Sequence, residues 1–284
     1  MVTLDLGRSE TDLDQMGWEP PARPRGLVHS TYAPPLTAGR APAPDGPWLG
    51  LLDGFRLRHR GRTLRLQPGA QRLLAFLALH DRPLHRLYVA GRLWTDSEQE
   101  HANASLRTTL WRLRRPGCVL VDATPSEMAL AEDVVVDVRE AIARAQRVLD
   151  NGGGLADLAG LIGAGDLLPD LYDDWVILER ERFRQLRLHA LERLCDDLTA
   201  AGAFGAATEA GFAAVASEPL RESAHRALIA THIAEGNLSE AFRQYRVYCD
   251  LARDHLGIQP SPRLRAMMSS VGEAWPATGE PTPR

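Results

Sequence analysis

Four arginines lie in the segment Ala102–Arg115, which contains no acid. If the segment is helical, with about 100° between successive residues, one narrow face collects the residues that must pack on the domain: Ala102, Leu106, Thr109, Leu110 and Leu113. The opposite face and its flank collect the residues that we predict to contact DNA: Ala104, Arg107, Thr108, Trp111, Arg112, Arg114 and Arg115. Because like charges on one helix repel each other, the pattern favours a polyanionic partner over an unpartnered solvated face.

The chemistry expected of this helix is recognition of the DNA major groove. The guanidinium of Arg107 can donate two hydrogen bonds to O6 and N7 of guanine, and the small Ala104 avoids a clash with the base edges. Thr108 and Trp111 are also assigned to base edges, although packing of Trp111 against the preceding helix is the alternative. The other arginines are assigned to phosphates, which supply affinity rather than sequence information: Arg112, Arg114 and Arg115.

Charge is distributed unevenly along the 284-residue chain, whose net charge is only −4. Residues 47–116 carry 13 arginines against 5 acids, whereas residues 117–284 carry 16 arginines against 26 acids. An anionic partner is therefore expected for the first segment only. All 33 basic residues are arginine. This excludes a P-loop nucleotide site and a Schiff-base enzyme, because both need a lysine.

Catalytic and metal-binding patterns are not indicated elsewhere in the sequence. The cysteines lack CxxC spacing and the histidines of the basic segment lack the i, i+4 spacing of a helical metal site: Cys118, Cys195, Cys249, His80, His85 and His101. We therefore expect no enzymatic activity, no cofactor and no metal ion. The acidic N-terminus does not resemble a signal peptide, and no apolar run approaches about 18 residues, so we expect a cytoplasmic protein.

Residues 47–134 contain the elements that must position the arginine-bearing helix. Alternating apolar residues favour short strands at Leu49–Leu52, Phe55–Leu57 and Thr63–Leu66. Three helices and a hairpin are expected to follow, with Asp96 or Ser97 capping the third helix: helices Gly69–His80, His85–Trp94 and Glu98–Arg115, and hairpin strands Val119–Val121 and Met128–Leu130.

Residues 135–272 are predicted to form an all-α domain. Helices are expected over Val138–Leu149, Asp173–Ala201, 204–216, 219–235, 238–255 and 261–272. A weak repeat of 34 residues, in which Gly202 recurs as Gly236 and Ala207 as Ala241, matches the period of tetratricopeptide helix pairs. The proline-rich residues 1–46 are predicted to be a disordered tail, and residues 273–284 a short C-terminal tail.

Four stretches of the sequence resemble the SARP family, the Streptomyces antibiotic regulatory proteins. They are residues 106–115 (LRTTLWRLRR), 167–175 (LLPDLYDDW), 179–194 (ERERFRQLRLHALERL) and 256–262 (LGIQPSP). The resemblance covers about residues 48–272. It implies a mainly α protein in which an OmpR-type winged helix-turn-helix domain precedes a bacterial transcriptional activation domain with tetratricopeptide-like helices.

The same resemblance implies a sequence-specific transcription activator. Its partners would be double-stranded DNA with direct repeats near a promoter, a second copy of the chain on that DNA, and RNA polymerase holoenzyme including its sigma subunit. The expected targets are secondary-metabolite gene clusters, such as those for antibiotic biosynthesis. The chain resembles the short form of the family, without an ATPase module.

The hairpin departs from the family pattern. Its second strand has Glu127-Met128-Ala129-Leu130 where the family usually has a Gly-Tyr-x-Leu-like strand, and no arginine lies between Val119 and Glu132. We therefore expect the arginine-bearing helix, rather than contacts of the hairpin in the minor groove, to dominate DNA binding. Two alternatives stay open. One is a helical-repeat scaffold or effector-sensing protein with only incidental DNA affinity, and the other is an effector-gated repressor.

Overall fold

Two small β-sheets accompany the helices at the start of the protein; the computed structural model describes residues 46–114 and 117–274. The first sheet has the strand order β3-β2-β1-β7: β1 (Trp48–Gly50), β2 (Arg56–His59), β3 (Arg62–Thr63) and β7 (Val135–Val136). The second has the order β4-β6-β5: β4 (Leu84–His85), β5 (Val121–Ala123) and β6 (Glu127–Leu130). All neighbouring strands are antiparallel except β1 and β7.

Three helices separate β3 from the β5–β6 hairpin: α1 (Pro68–Ala78), α2 (Arg86–Leu93) and α3 (Gln99–Leu113). Pro68 begins α1 because its fixed φ suits the first helical turn, where no amide N–H is needed. The side chain of His85 accepts the amide N–H of Leu87 and caps α2. The expectation that Asp96 or Ser97 caps α3 was wrong, since Glu98 precedes its first residue and makes no side-chain cap.

Beyond β7, the described chain forms seven helices joined by loops: α4 (Asp137–Asn151), α5 (Leu155–Ile162), α6 (Asp174–Ala200), α7 (Phe204–Ser217), α8 (Glu222–Glu235), α9 (Leu238–Leu256) and α10 (Pro262–Ala274). Helices α6 to α9 pack each against the next. The repeated Gly202 and Gly236 both have positive φ, 72° and 84°, because each ends a helix in the left-handed conformation that glycine adopts without steric cost. The predicted fold class, a winged helix-turn-helix followed by helical repeats, is confirmed.

One hydrophobic core runs through both parts, from Leu49 to Phe183. Beside this core the half-buried carboxylate of Asp137 accepts the amide N–H groups of Leu51 (2.8 Å), Leu52 (3.2 Å) and Val138 (2.7 Å). Burial raises the pKa of the Asp137 carboxyl, and these hydrogen bonds offset only part of that rise. Asp137, the first residue of α4, therefore provides the hydrogen-bond acceptor for the backbone N–H groups of Leu51 and Leu52, which follow β1.

Helix α6 packs on α1 at a second point of the same junction. The ring of Trp175 meets that of Phe76 edge to face, with 5.0 Å between centroids, and Asp173 forms an ion pair with Arg72. Arg72 also donates to the carbonyl of Leu93 at 2.8 Å. From α4, Arg139 donates to the carbonyls of Ala78 and His80, both at 2.9 Å, at the end of α1. The junction thus holds α1, the helix against which α3 packs.

Within the described residues, no helix is both long and apolar enough to cross a membrane. The predicted domain limits at residues 46, 134 and 272 stay predictions. The tail expected over residues 1–46 lies almost wholly outside the described residues, as does most of that expected over residues 273–284.

Candidate nucleic-acid interface

Helix α3 divides into a buried stripe and an exposed arginine face, as its sequence predicts. The side chains of Ala102, Leu106, Thr109 and Leu113 are buried, and Leu110 packs partly buried against the same core. The opposite face is exposed at Arg107, Thr108, Trp111, Arg112 and Arg114, while Ala104 is half-buried. Arg115 lies outside the described residues. The structure therefore presents three of the four predicted arginines on one exposed side and flank of the helix.

Trp111 resolves an alternative that the sequence left open. Its side chain is 71% exposed, so it does not pack into the preceding helix. Its position between exposed arginines leaves it available to stack on sugar or to contact a thymine methyl group.

Two hydrogen bonds define the polar geometry of the exposed face. The hydroxyl of Thr108 donates to the carbonyl oxygen of Ala104 at 2.9 Å, so its proton is used within the helix and only its lone pairs and methyl group remain for a ligand. Nη1 of Arg112 donates to Oε1 of Gln67 at 2.5 Å. Gln67 is an uncharged acceptor that orients the guanidinium, and among the described residues no acid forms an ion pair with Arg112.

Arg107 lies at the edge of a groove between α3, the start of α2 and the β5–β6 turn. The groove is lined by His85, Arg86, Leu87, Asn103, Leu106, Arg107, Pro125 and Ser126. Arg86 fixes its wall, because its amide donates to the carbonyl of Ser126 at 2.8 Å and its guanidinium to that of Thr124 at 2.9 Å. Among the described residues, Arg107 forms no ion pair.

The β5–β6 hairpin carries acids where a nucleic-acid contact would need cations. Its turn is closed by the amide of Glu127, which donates to the hydroxyl of Thr124 at 2.9 Å. The side chains of Asp122 and Glu127 are both exposed. A carboxylate near a phosphate is repelled, so the hairpin is poorly suited to hold the DNA backbone, in line with the sequence-based expectation.

Sequence reasoning missed two contributors to this surface. Gln67 orients Arg112 through a contact 45 residues away in the chain, and no local pattern reveals such a partner. Arg86 was predicted only as part of α2, although its position directly after the His85 cap indicates that it lies at an exposed helix start. Within the described residues, no cluster of three or more His, Cys, Asp or Glu side chains is arranged to hold a metal ion.

A family comparison identifies the helical part of the chain. Residues 128–271, about half of the sequence, match the model of the bacterial transcriptional activator domain. The chain belongs to the bacterial transcriptional activator domain family. In this family member, α4 to α9 and most of α10 lie within the matched range.

Two relatives extend the similarity toward the N-terminus. The regulatory protein AfsR of Streptomyces coelicolor is 29% identical over 251 residues, which are 81% of this chain and 25% of AfsR. The structure of Mycobacterium tuberculosis EmbR in complex with a low-affinity phosphopeptide superposes with a TM-score of 0.60 at 22% identity, over 81% of this chain and 66% of EmbR. This chain thus spans about a quarter of the length of AfsR. The resemblance to SARP-type transcription regulators is confirmed, and the EmbR comparison shows a shared fold.

Proposed function

We propose that this activator-domain protein binds direct repeats upstream of promoters through α3 and recruits RNA polymerase there. The observation that carries the proposal is the arginine face of α3, exposed and without an acidic partner among the described residues, above a buried apolar stripe. A rigid helix with this division can enter the major groove while its opposite face stays in the core. The similarity to AfsR, a regulatory protein, supports a regulatory role.

The roles of individual residues follow from their positions on α3. Arg107 contacts guanine, beside a half-buried Ala104 that permits close approach, and Thr108 and Trp111 contact neighbouring base edges. Phosphates are held by Arg112, Arg114 and Arg115. Two copies of the chain lie side by side on the repeats, and their activation domains contact RNA polymerase holoenzyme, including sigma. The regulated genes form a secondary-metabolite cluster.

Sequencing of genomic DNA captured by the purified protein tests this function. We expect enriched fragments with a direct repeat upstream of a transcription start. A reconstituted transcription assay on one such fragment should then show activation that depends on the protein. Absence of any enriched sequence would contradict the proposal and favour the scaffold or effector-sensing alternative. A repeat that overlaps the start site, with transcription lowered, would favour a repressor.

Substitution of Arg107 by alanine should weaken binding to the selected duplex by about 1–3 kcal/mol, which is about 5- to 150-fold. The loss should vanish when one particular guanine in each half-site is replaced, because the variant no longer distinguishes that base pair. Binding is measured by fluorescence anisotropy on a panel of single-base variants of the duplex. Arg243→Ala in α9, where the side chain is 74% exposed, is the control and should bind as the wild type does. Equal loss on all duplexes would assign Arg107 to a phosphate.

Joint substitution of Arg112 and Arg114 by glutamine should leave base preference unchanged and reduce the salt dependence of binding. Each lost phosphate contact lowers the slope of log K against log salt by about 0.9, so the pair should lower it by about 2. The slope is measured from titrations at several salt concentrations. An unchanged slope would show that these two guanidinium groups do not reach phosphates.

A further inference from the structure

The β2–β3 hairpin is a second basic surface. No acid lies between Asp53 and Asp81, whereas arginines stand at 56, 58, 60, 62 and 65. Two of these serve the fold, because Arg56 donates to the carbonyl of Leu52 at 2.7 Å and Arg58 lies over the ring of Trp48, 5.7 Å from its centroid. Arg60 and Arg62, at the tip, are exposed.

The tip carries uncompensated charge. In the part of the chain that the structure describes, neither Arg60 nor Arg62 forms an ion pair. Some exposed arginines of the activation domain, such as Arg182 and Arg253, instead pair with acids three residues away, although Arg246 in the described part of α9 forms no ion pair. Two adjacent exposed guanidinium groups without a counter-charge repel each other and are stabilised by an anionic ligand.

The arginine in the turn at the tip does not stabilise the turn. Arg60 and Gly61 both have positive φ, 48° and 71°, and connect the paired residues His59 and Arg62. A two-residue hairpin turn of this kind favours asparagine or glycine at its first position, because other side chains are strained at positive φ. Arg60 therefore stands where the fold alone would favour asparagine.

The hairpin tip lies beside the segment that follows α3. The position that a Cβ atom would take on Gly117, in the segment that follows α3, is 4.0 Å from Nη2 of Arg60. On the other side, Gln67, which follows β3 in the chain, accepts the hydrogen bond from Arg112 on the exposed face of α3. The two arginine groups thus belong to one basic surface. The acidic β5–β6 hairpin lies by the groove at Arg107 instead.

We propose that the tip of the β2–β3 hairpin is a second phosphate-binding surface, which holds the DNA backbone beyond the part of the major groove that α3 occupies. The proposal rests on the proposed function. Guanidinium groups bind phosphate oxygens through charge-assisted hydrogen bonds, and a duplex held by α3 continues past both ends of that helix. Arg60 and Arg62 thereby perform the backbone contact for which the β5–β6 hairpin lacks cations.

The double variant Arg60→Asn/Arg62→Thr tests this surface without threatening the fold. Asparagine suits positive φ and threonine suits a strand, so the unfolding midpoint in urea should be equal to or above that of the wild type. On a selected duplex with long flanks, affinity at physiological salt should fall on the order of tenfold, and the slope of log K against log salt should fall by about 2. Arg243→Gln/Arg246→Gln in α9 removes the same charge from exposed positions and should change neither.

Duplex length gives an independent readout. Removing about half a helical turn, ~5 base pairs, from the hairpin side of the site should lower the affinity of the wild type to that of the double variant, and removing it from the other side should not. On the long duplex, equal affinity and an equal salt dependence for the wild type and the double variant would overturn the inference. If Arg107→Ala still weakened binding to that duplex, the proposed function would stand. Binding of no duplex by the wild type would overturn both. Unchanged DNA binding with lost transcription activation would assign the tip to an acidic protein surface and overturn the inference.

Discussion

Replacement of Asp137 by alanine should lower the free energy of unfolding by about 3–5 kcal/mol. The variant removes the acceptor of three amide N–H groups, those of Leu51, Leu52 and Val138, residues that are 0%, 8% and 0% exposed. Water cannot easily replace the carboxylate at buried amides, so these three donors lose their partner. Urea unfolding followed by circular dichroism measures the effect. A loss below about 1 kcal/mol would show that another acceptor takes over.

Asp137→Asn is the matched variant and should cost less, about 1–3 kcal/mol. Its amide oxygen can still accept from Leu51 and Val138, but its NH₂ group would face the amide N–H of Leu52, donor against donor. The two proteins should also differ in their response to pH. Because the folded-state pKa of Asp137 is raised, the native carboxyl binds a proton before the unfolded one does. The free energy of unfolding of the wild type should therefore exceed that of Asp137→Asn most in acid, and the difference should decrease as pH rises through the pKa of the folded state.

Replacement of Trp175 by alanine should lower the free energy of unfolding by a similar amount, about 3–5 kcal/mol. Only 7% of Trp175 is exposed, and its ring packs edge to face on Phe76 of α1. Truncation would leave a cavity between α1 and α6, which the surrounding helices can fill only partly. The same unfolding measurement applies, and we expect one transition shifted to lower urea.

Trp175→Phe separates packing from hydrogen bonding at this position. Among the described residues, Nε1 of Trp175 has no hydrogen-bond partner although it is buried. Phenylalanine removes that donor and keeps most of the ring, so its cost should stay below about 1.5 kcal/mol. If the phenylalanine and alanine variants were equally destabilised, an unrecognised polar contact of the indole N–H would have to carry the effect.

The arginine-bearing helix was the part most readily predicted from sequence, because helical periodicity alone decides which residues share a face. Leu106 and Leu113 are buried and Arg107 and Arg112 exposed, as the sequence indicates. The long α6 was predicted to within one residue at each end, since a run without glycine or proline over Asp174–Ala200 favours one uninterrupted helix. Which of the exposed side chains contact DNA stays a prediction.

Long-range contacts, and elements that exist only through such contacts, could not be predicted from the sequence. The two-residue strand β7 (Val135–Val136) is defined by pairing with a strand more than 80 residues earlier, and α5 (Leu155–Ile162) is only two turns long and follows three glycines. The role of Asp137 was invisible for the same reason. An acid at a helix start suits the helix dipole, and nothing in its neighbourhood reveals amide donors from Leu51 and Leu52.

The hydrophobic core from Leu49 to Phe183, which both parts of the described chain share, limits how this protein can be divided into fragments. A fragment ended at residue 134 would retain the arginine-bearing helix but lose β7 beside β1, the carboxylate of Asp137 and the ring that covers Phe76. Such a truncation should aggregate rather than fold as an independent domain. The helical repeats have hydrophobic clusters of their own, but their transfer onto another domain would require new partners for the residues of α4 and α6 that pack in the shared core, such as Val138 and Phe183.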